Sequence, residues 1–319
     1  MKKNILFRIV AGALLLAFNT RAEQAGSGHY VSGQYTDFSG TPPTQPGFYF
    51  GNAFLDYANG TFSASKELPL GGIFAAGVTA NLQAEVPLAI YAYPFSLQDI
   101  TFSSGVAVPF VWANVKASAI FDRNNVQLSG AKEQSTSGLG DIQLMPVMAG
   151  WTNGDFKLGG LFNVWAPTGD YSNGQLANRG LGYWTFEPML AFSWLSSKIG
   201  TEFSVFTAVD FNTKNDTADY QSGDIFHVDA TLAQHLPLFG GFAGAGASAF
   251  YLKQISGDSG SGARLGGFEA ETYGVGPTLS YVHPIGKSTL VVDGSWLPQL
   301  HSDNTTKGNY WWIKVALAF

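Results

Sequence analysis

"YWWIKVALAF" (residues 310–319) ends the chain on an aromatic residue, with apolar side chains at every second position before it. In an extended strand, side chains alternate between two faces. Trp311, Ile313, Val315, Leu317 and Phe319 therefore share one face, and Tyr310, Trp312, Lys314, Ala316 and Ala318 share the other. The first set is an unbroken apolar row suited to lipid. A strand of this kind belongs in the wall of a transmembrane barrel, provided that the chain is exported and its other strands repeat the pattern.

Export is written at the other end. In "MKKNILFRIVAGALLLAFNTRA" (1–22), Lys2, Lys3 and Arg8 precede an apolar run from Ile9 to Phe18, and Thr20 and Ala22 stand at the −3 and −1 positions of a cleavage site. This is a secretory signal peptide whose core is too short to span a bilayer. The chain then divides into a signal peptide (1–22), an N-terminal periplasmic or plug segment (23–46) and a barrel (47–319). Loss of Lys2, Lys3, Arg8 and Arg21 leaves 13 basic against 23 acidic residues. An exported acidic chain is a poor nucleic-acid binder. It has no Cys, so neither a disulfide framework nor a thiolate ligand or nucleophile is available. Thirty-nine Gly, 14% aromatic and 13% charged residues suit strands, tight turns and interfacial aromatic rings rather than helices.

Period-2 segments bounded by turn residues give twelve candidate strands: 48–62, 74–92, 101–120, 140–152, 156–166, 184–195, 199–211, 223–235, 242–254, 268–282, 288–298 and 308–319. Short connections such as "NGD" and "HPIGK" alternate with long polar ones: 122–138 ("DRNNVQLSGAKEQSTSG"), 167–183, 212–223 and 256–267. The rhythm is that of an all-β, up-and-down antiparallel transmembrane β-barrel of about twelve strands, with tight periplasmic turns, long outer loops and both termini in the periplasm. Twelve strands about 4.8 Å apart and tilted near 40° enclose a backbone diameter of roughly 24 Å, so any lumen admits only small molecules.

Alternation assigns side chains to the two faces. In "WTFEPMLAFSW" (184–194) Trp184, Phe186, Leu190, Phe192 and Trp194 face lipid and Glu187 faces inward. In "TEFSVFTAVDF" (201–211) Phe203, Val205, Val209 and Phe211 face out, and Glu202 and Asp210 face in. In "GVTANLQAEVPL" (77–88) Val78, Ala80, Leu82, Ala84 and Val86 are expected to meet lipid, leaving Asn81, Gln83 and Glu85 inside. Candidate channel-lining residues are thus Asn81, Gln83, Glu85, Lys157, Asn163, Trp165, Glu187, Glu202, Asp210, His227, Asp229 and Asp293; Tyr91 and Phe206 are further lumen aromatics. The inward carboxylates outnumber the inward bases Lys157 and Lys314, which favours cations unless the charges pair across the wall. His227, Asp229 and His235 share one face of "IFHVDATLAQH" (225–235), as metal ligands, as an acid–base pair or as plain polar wall.

Other motifs carry less. "GDSGSG" (257–262) resembles a serine-protease nucleophile segment, but no partner histidine segment precedes it, and it reads as an outer loop. Pro87, Pro109, Pro146, Pro188 and Pro277 interrupt ladders and mark bulges or a lateral gap. No cofactor or metal signature of useful specificity is present.

"PGFYF" (46–50), "GLGDIQLMP" (138–146), "WAPTGDY" (165–171), "RGLGYWTFEP" (179–188), "DYQSGDIFHVDATLAQHL" (219–236), "SGDSGSG" (256–262), "GVGPTLSY" (274–281) and the terminal "KVALAF", in this order, resemble the outer-membrane channel family of the meta-pathway of phenol degradation. The resemblance implies a monomeric, non-enzymatic barrel in the bacterial outer membrane, bordered by lipid and lipopolysaccharide. It also implies passive uptake of small hydrophobic or aromatic compounds, and it makes Val315, Leu317 and Phe319 a signal for the barrel assembly machinery. The competing expectation is an outer-membrane lipid hydrolase or acyltransferase using His227 or His235 with a serine. The N-terminal segment either plugs the lumen or lies in the periplasm.

Overall fold

The computed structural model describes residues 28–70, 73–123, 126–263, 267 and 269–319; the signal peptide assigned to residues 1–22 lies outside them. Its strands are β1 (Gly47–Leu70), β2 (Ile73–Leu97), β3 (Ile100–Ala107), β4 (Phe110–Arg123), β5 (Val126–Leu139), β6 (Ile142–Asn153) and β7 (Phe156–Ala166). There follow β8 (Thr185–Leu195), β9 (Thr201–Asn212), β10 (Ile225–Leu238), β11 (Gly241–Gln254), β12 (Glu271–Ile285), β13 (Ser288–Asp303) and β14 (Lys307–Ala318). All named pairings are antiparallel, and β1 bonds to both β2 and β14, which closes the sheet. The lower half of β2 pairs with β3 and the upper half with β4, while β3 pairs with β6 and β4 with β5. β3 with β4, and β5 with β6, are therefore single wall strands, each broken once, and the barrel has twelve.

The break between β3 and β4 is at a proline, and the one between β5 and β6 lies opposite it at Gly140–Asp141. Pro109 has no N–H for the ladder, and the chain bridges the gap with Val108 N–H to Pro87 O (3.0 Å) and Gly140 N–H to Pro109 O (2.8 Å). Two short turns, Gln98–Asp99 and Phe239–Gly240, hold both residues at positive φ (50° and 64°; 48° and 76°). That conformation matches the right-handed twist of the flanking strands.

Two sequence expectations are corrected. Residues 122–138 are not an outer loop: β5 pairs with β4 from Phe110–Leu139 to Arg123–Val126. Its polar composition hides the strand from hydropathy. The second concerns β2. Trp312 is buried and donates Nε1–H to Ser32 O, which lies inside the barrel, and so faces inward; it pairs with Leu55, which pairs with Ala84. Val78, Ala84 and Val86 thus face the lumen, and Asn81, Gln83, Glu85 and Tyr91 face outward. Two of these outward polar groups meet partners on β1, Asn52 to Glu85 (2.8 Å) and Gln83 to Asp56 (3.1 Å), which lessens the cost of leaving them unpaired.

β4 shares this inversion, with Val111 and Val115 inward beside Ala84 and Ala80, whereas on β8, β9 and β10 the charged side chains face in and the outer row is mainly apolar. On β8, β9 and β14 the exposed sets include Phe186, Leu190, Phe203, Phe211, Trp311, Ile313 and Phe319, as expected. Leu232, exposed near the middle of β10, is a test of this face. Leu232→Arg should destabilise the barrel by about 2–4 kcal/mol in denaturant unfolding from lipid, as a cation at the bilayer midplane does. A change near zero would place Leu232 outside the lipid.

Candidate functional site: a filled lumen

Residues 28–44 run inside the barrel. Their sequence, with Gly33, Gly40 and Pro42–Pro43, suits neither helix nor strand, and only the 3₁₀ turn Phe38–Gly40 is regular. Gly33 has φ +80°, and a Cβ there would lie 2.2 Å from Leu297 Cδ1, so only glycine fits against the wall.

The segment cannot satisfy its own backbone, and the wall does so instead. Asp229 of β10 accepts three bonds, from Tyr30 OH (2.6 Å), Gly33 N–H (3.1 Å) and Tyr35 N–H (3.1 Å). Asp293 of β13 accepts from Thr36 OH (2.9 Å), and Glu202 of β9 from Phe38 N–H (2.7 Å). From β14, Trp312 Nε1 donates to Ser32 O (3.0 Å) and Lys314 Nζ to Gly33 O (3.1 Å) and Thr36 Oγ1 (2.8 Å). Asn163 of β7 and Gln143 of β6 donate to Tyr35 Oη (3.1 and 3.3 Å).

Aromatic contacts complete the seat. His29 stacks on Trp165, Tyr30 lies parallel to His227 with ring centres 3.6 Å apart, Tyr35 stacks on Phe206, and Lys157 Nζ sits 5.4 Å from the Phe38 ring centre. At the wall break, Asp141 joins three elements: it accepts from Gly169 N–H and Leu181 N–H of the 167–184 loop and lies 2.9 Å from His29 Nε2.

Electrostatically the segment is under tension at one point. Asp37 is buried and faces Asp293 and Glu202; burial first, then those two carboxylates, push its pKa from 3.8 up to about 6, while Ser39 and Lys314 oppose the shift. Burial and the Asp229 carboxylate hold the Tyr30 hydroxyl protonated, well above its ordinary value.

The sequence-derived candidates divide in two. Lys157, Asn163, Trp165, Glu187, Glu202, Asp210, His227, Asp229 and Asp293 all face inward, but against this segment or one another rather than an open path. Asn81, Gln83 and Glu85 lie outside the lumen. Trp312, Gln143 and Asp141, which hold the segment as firmly, were not among the candidates. Trp312 carried a signal: a bulky indole on the inner face of the terminal strand needs an acceptor for its N–H.

Space remains beside the segment. A cavity of about 800 Å³ is bounded on one side by residues 28–45 and on the other by the inner rows of β2 and β4, including Val78, Leu82, Val86, Val111 and Val115. It reaches Thr44 and Ala318 at one end of the barrel and Leu176 and Thr306 at the other. The inverted β2 face is what makes this wall apolar.

Comparison with known proteins agrees with the architecture. The family described as "Putative MetA-pathway of phenol degradation" matches residues 53–315. Among solved structures, an outer membrane channel from Pseudomonas putida F1 superposes with a TM-score of 0.65 at 13% identity, over 91% of this chain and 100% of that one. The beta domain of the Bordetella autotransporter BrkA gives 0.48 at 10% identity (86% and 99% covered). A Pseudomonas aeruginosa FadL homologue gives 0.40 at 7% (85% and 88%). No curated protein matches the sequence. The first likeness identifies the fold as that of an outer-membrane β-barrel.

Proposed function

Given that the chain belongs to the MetA-pathway phenol-degradation family, we propose that it is a passive outer-membrane channel for small apolar or aromatic compounds, closed at rest by its own residues 28–44. The observation that carries this is the apolar cavity that remains beside the segment along β2 and β4. Its Val and Leu side chains offer a planar apolar solute contact without binding it tightly, and the inner charged residues Glu187, Glu202, Asp210, Asp229 and Asp293 engage the N-terminal segment or one another instead. A hydrated ion gains nothing on such a wall. The break at Pro109 and Gly140, where the outer edge of β5 meets the 167–184 loop rather than a strand, supports a sideways exit into the bilayer.

The hydrolase reading is weaker because the histidines are engaged. His235 Nε2 lies 2.6 Å from Glu202, and His227 Nε2 lies 3.0 Å from Glu187; both side chains are sealed from solvent. In "GDSGSG", Asp258 accepts from Tyr220 OH, Gly223 N–H and Gln254 Nε2, a loop-building role.

The test is uptake of a small fluorescent aromatic into proteoliposomes, alongside bilayer conductance with and without benzoate. Ala84 is buried on the inner face, and Ala84→Trp should cut aromatic uptake by about tenfold or more, as an indole of some 150–250 Å² fills the path. Uptake unchanged by this substitution would remove the apolar cavity as the route. Ester or phospholipid turnover lost in His235→Ala, with no uptake, would favour the hydrolase.

A further inference from the structure

Behind the N-terminal segment, three adjacent strands bring two carboxylates and an imidazole together with no solvent. Between the pairs Phe186–Phe211 and Met189–Ala208, Glu187 of β8 lies beside Asp210 of β9. His227 of β10 completes the group: its Nε2 is 3.0 Å from Glu187 Oε2 and 3.5 Å from Asp210 Oδ1, and the three donor atoms lie within 4.8 Å of one another. All three side chains are fully buried.

The charges do not close. Side-by-side carboxylates on neighbouring strands repel, and among the described residues their ion-pair partner is His227. With both carboxylates ionised, even a protonated His227 leaves one negative charge where no water can solvate it, which either a proton on one carboxyl or a divalent ion removes. The hydrogen bonding does not close either. Both oxygens of Asp210, Nδ1 of His227 and Oδ1 of Asn163 lack a hydrogen-bond partner. Glu187 is oriented from behind, its Oε1 accepting from Asn163 Nδ2 at 2.5 Å.

We propose that Glu187, Asp210 and His227 bind a divalent transition-metal ion of the zinc class. A divalent ion with a neutral His227 balances both carboxylates. The spacing also suits it: ligands about 2.1 Å from a tetrahedral ion are about 3.4 Å apart, close to the observed 3.0 and 3.5 Å. The nitrogen–oxygen donor set selects zinc, manganese or iron over calcium or magnesium, which prefer all-oxygen shells. Asn163 is an outer partner that positions Glu187. Tyr30, stacked on the His227 ring, covers the site, so metal enters or leaves only when the N-terminal segment lifts. The assignment is independent of what the channel carries.

The experiment uses the full refolded chain, its folding checked by heat-modifiable gel mobility. After exposure to zinc and dialysis, elemental analysis should find about one zinc per chain, and cobalt in its place should give the visible bands of a low-symmetry site. Glu187→Gln and His227→Gln should lose at least tenfold in retained metal. Should either fail to fold, Asn163→Ala should weaken binding by about 10- to 100-fold. Tyr30→Ala should retain zinc yet release it to chelator faster than the native chain. Zinc no higher than a dialysed blank with no cobalt bands, or equal retention in Glu187→Gln and His227→Gln, would overturn the assignment.

Discussion

Asp229→Ala is expected to convert a mostly closed barrel into one that opens often. The native carboxylate accepts from Tyr30 OH, Gly33 N–H and Tyr35 N–H, all within 3.1 Å. Truncation leaves three donors inside the lumen without acceptors, each costing about 1–3 kcal/mol while the segment stays docked. When it undocks, water satisfies them. Even the lower limit, about 3 kcal/mol in all, shifts the docked-to-undocked ratio by roughly a hundredfold. Asp229→Asn keeps an acceptor and should fall between. Because the chain has no cysteine, Ser32→Cys provides a unique thiol whose maleimide labelling reports undocking, beside single-channel recordings. Labelling and opening frequency equal to the native chain's would mean that Asp229 does not hold the segment.

Raising the pH from acid to neutral should loosen the same segment. Asp37 titrates near 6 when docked against an ordinary 3.8, so the docked form binds the proton more tightly. The sign follows: docking is strongest below about pH 4 and weakens as pH rises through 6. The groups facing Asp37 are Asp293 on β13, Glu202 on β9, Lys157 on β7 and Lys314 on β14, with Ser39 bonding it from its own turn. The difference between 3.8 and about 6 corresponds to roughly 3 kcal/mol. Between pH 4.5 and 7.5 the native chain should therefore show a marked rise in opening and in Ser32→Cys labelling, once corrected for thiol reactivity. Asp37→Asn should dock more tightly at pH 7 and lose most of that dependence. If Asp37→Asn leaves the pH profile intact, another group sets it.

Much of the wall was legible because alternation carries one bit per strand. On β8, β9 and β14 that bit was read correctly from strong contrasts such as Glu187 beside Phe186 and Asp210 beside Phe211. On β2 it was read backwards. Period 2 says that Asn81, Gln83 and Glu85 share a face, but not which face, and the apolar cavity inside reverses the usual preference. β5 escaped because Gln134, Ser135, Thr136 and Ser137 show no apolar alternation; their place comes from pairing with β4. The inward acidic residues were found without their purpose, since residues 28–44 have no period that would announce a partner. Asp141 was missed for a similar reason: a lone aspartate after two glycines looks like a turn until His29 and the 167–184 loop converge on it.

Trp312 and Lys314 grip Ser32 and Gly33 across 280 and 281 positions of sequence. An early segment of the chain thus finds its berth on a strand made some 280 residues later. Loop-closure entropy grows only logarithmically with such a span, so the delay adds little to the final stability, but it fixes an order of events. Until β14 has been made and joined to β1, neither the wall nor the berth exists. A truncated or half-inserted chain therefore cannot seal itself, and a sealed lumen certifies that β14 has been made and joined to β1.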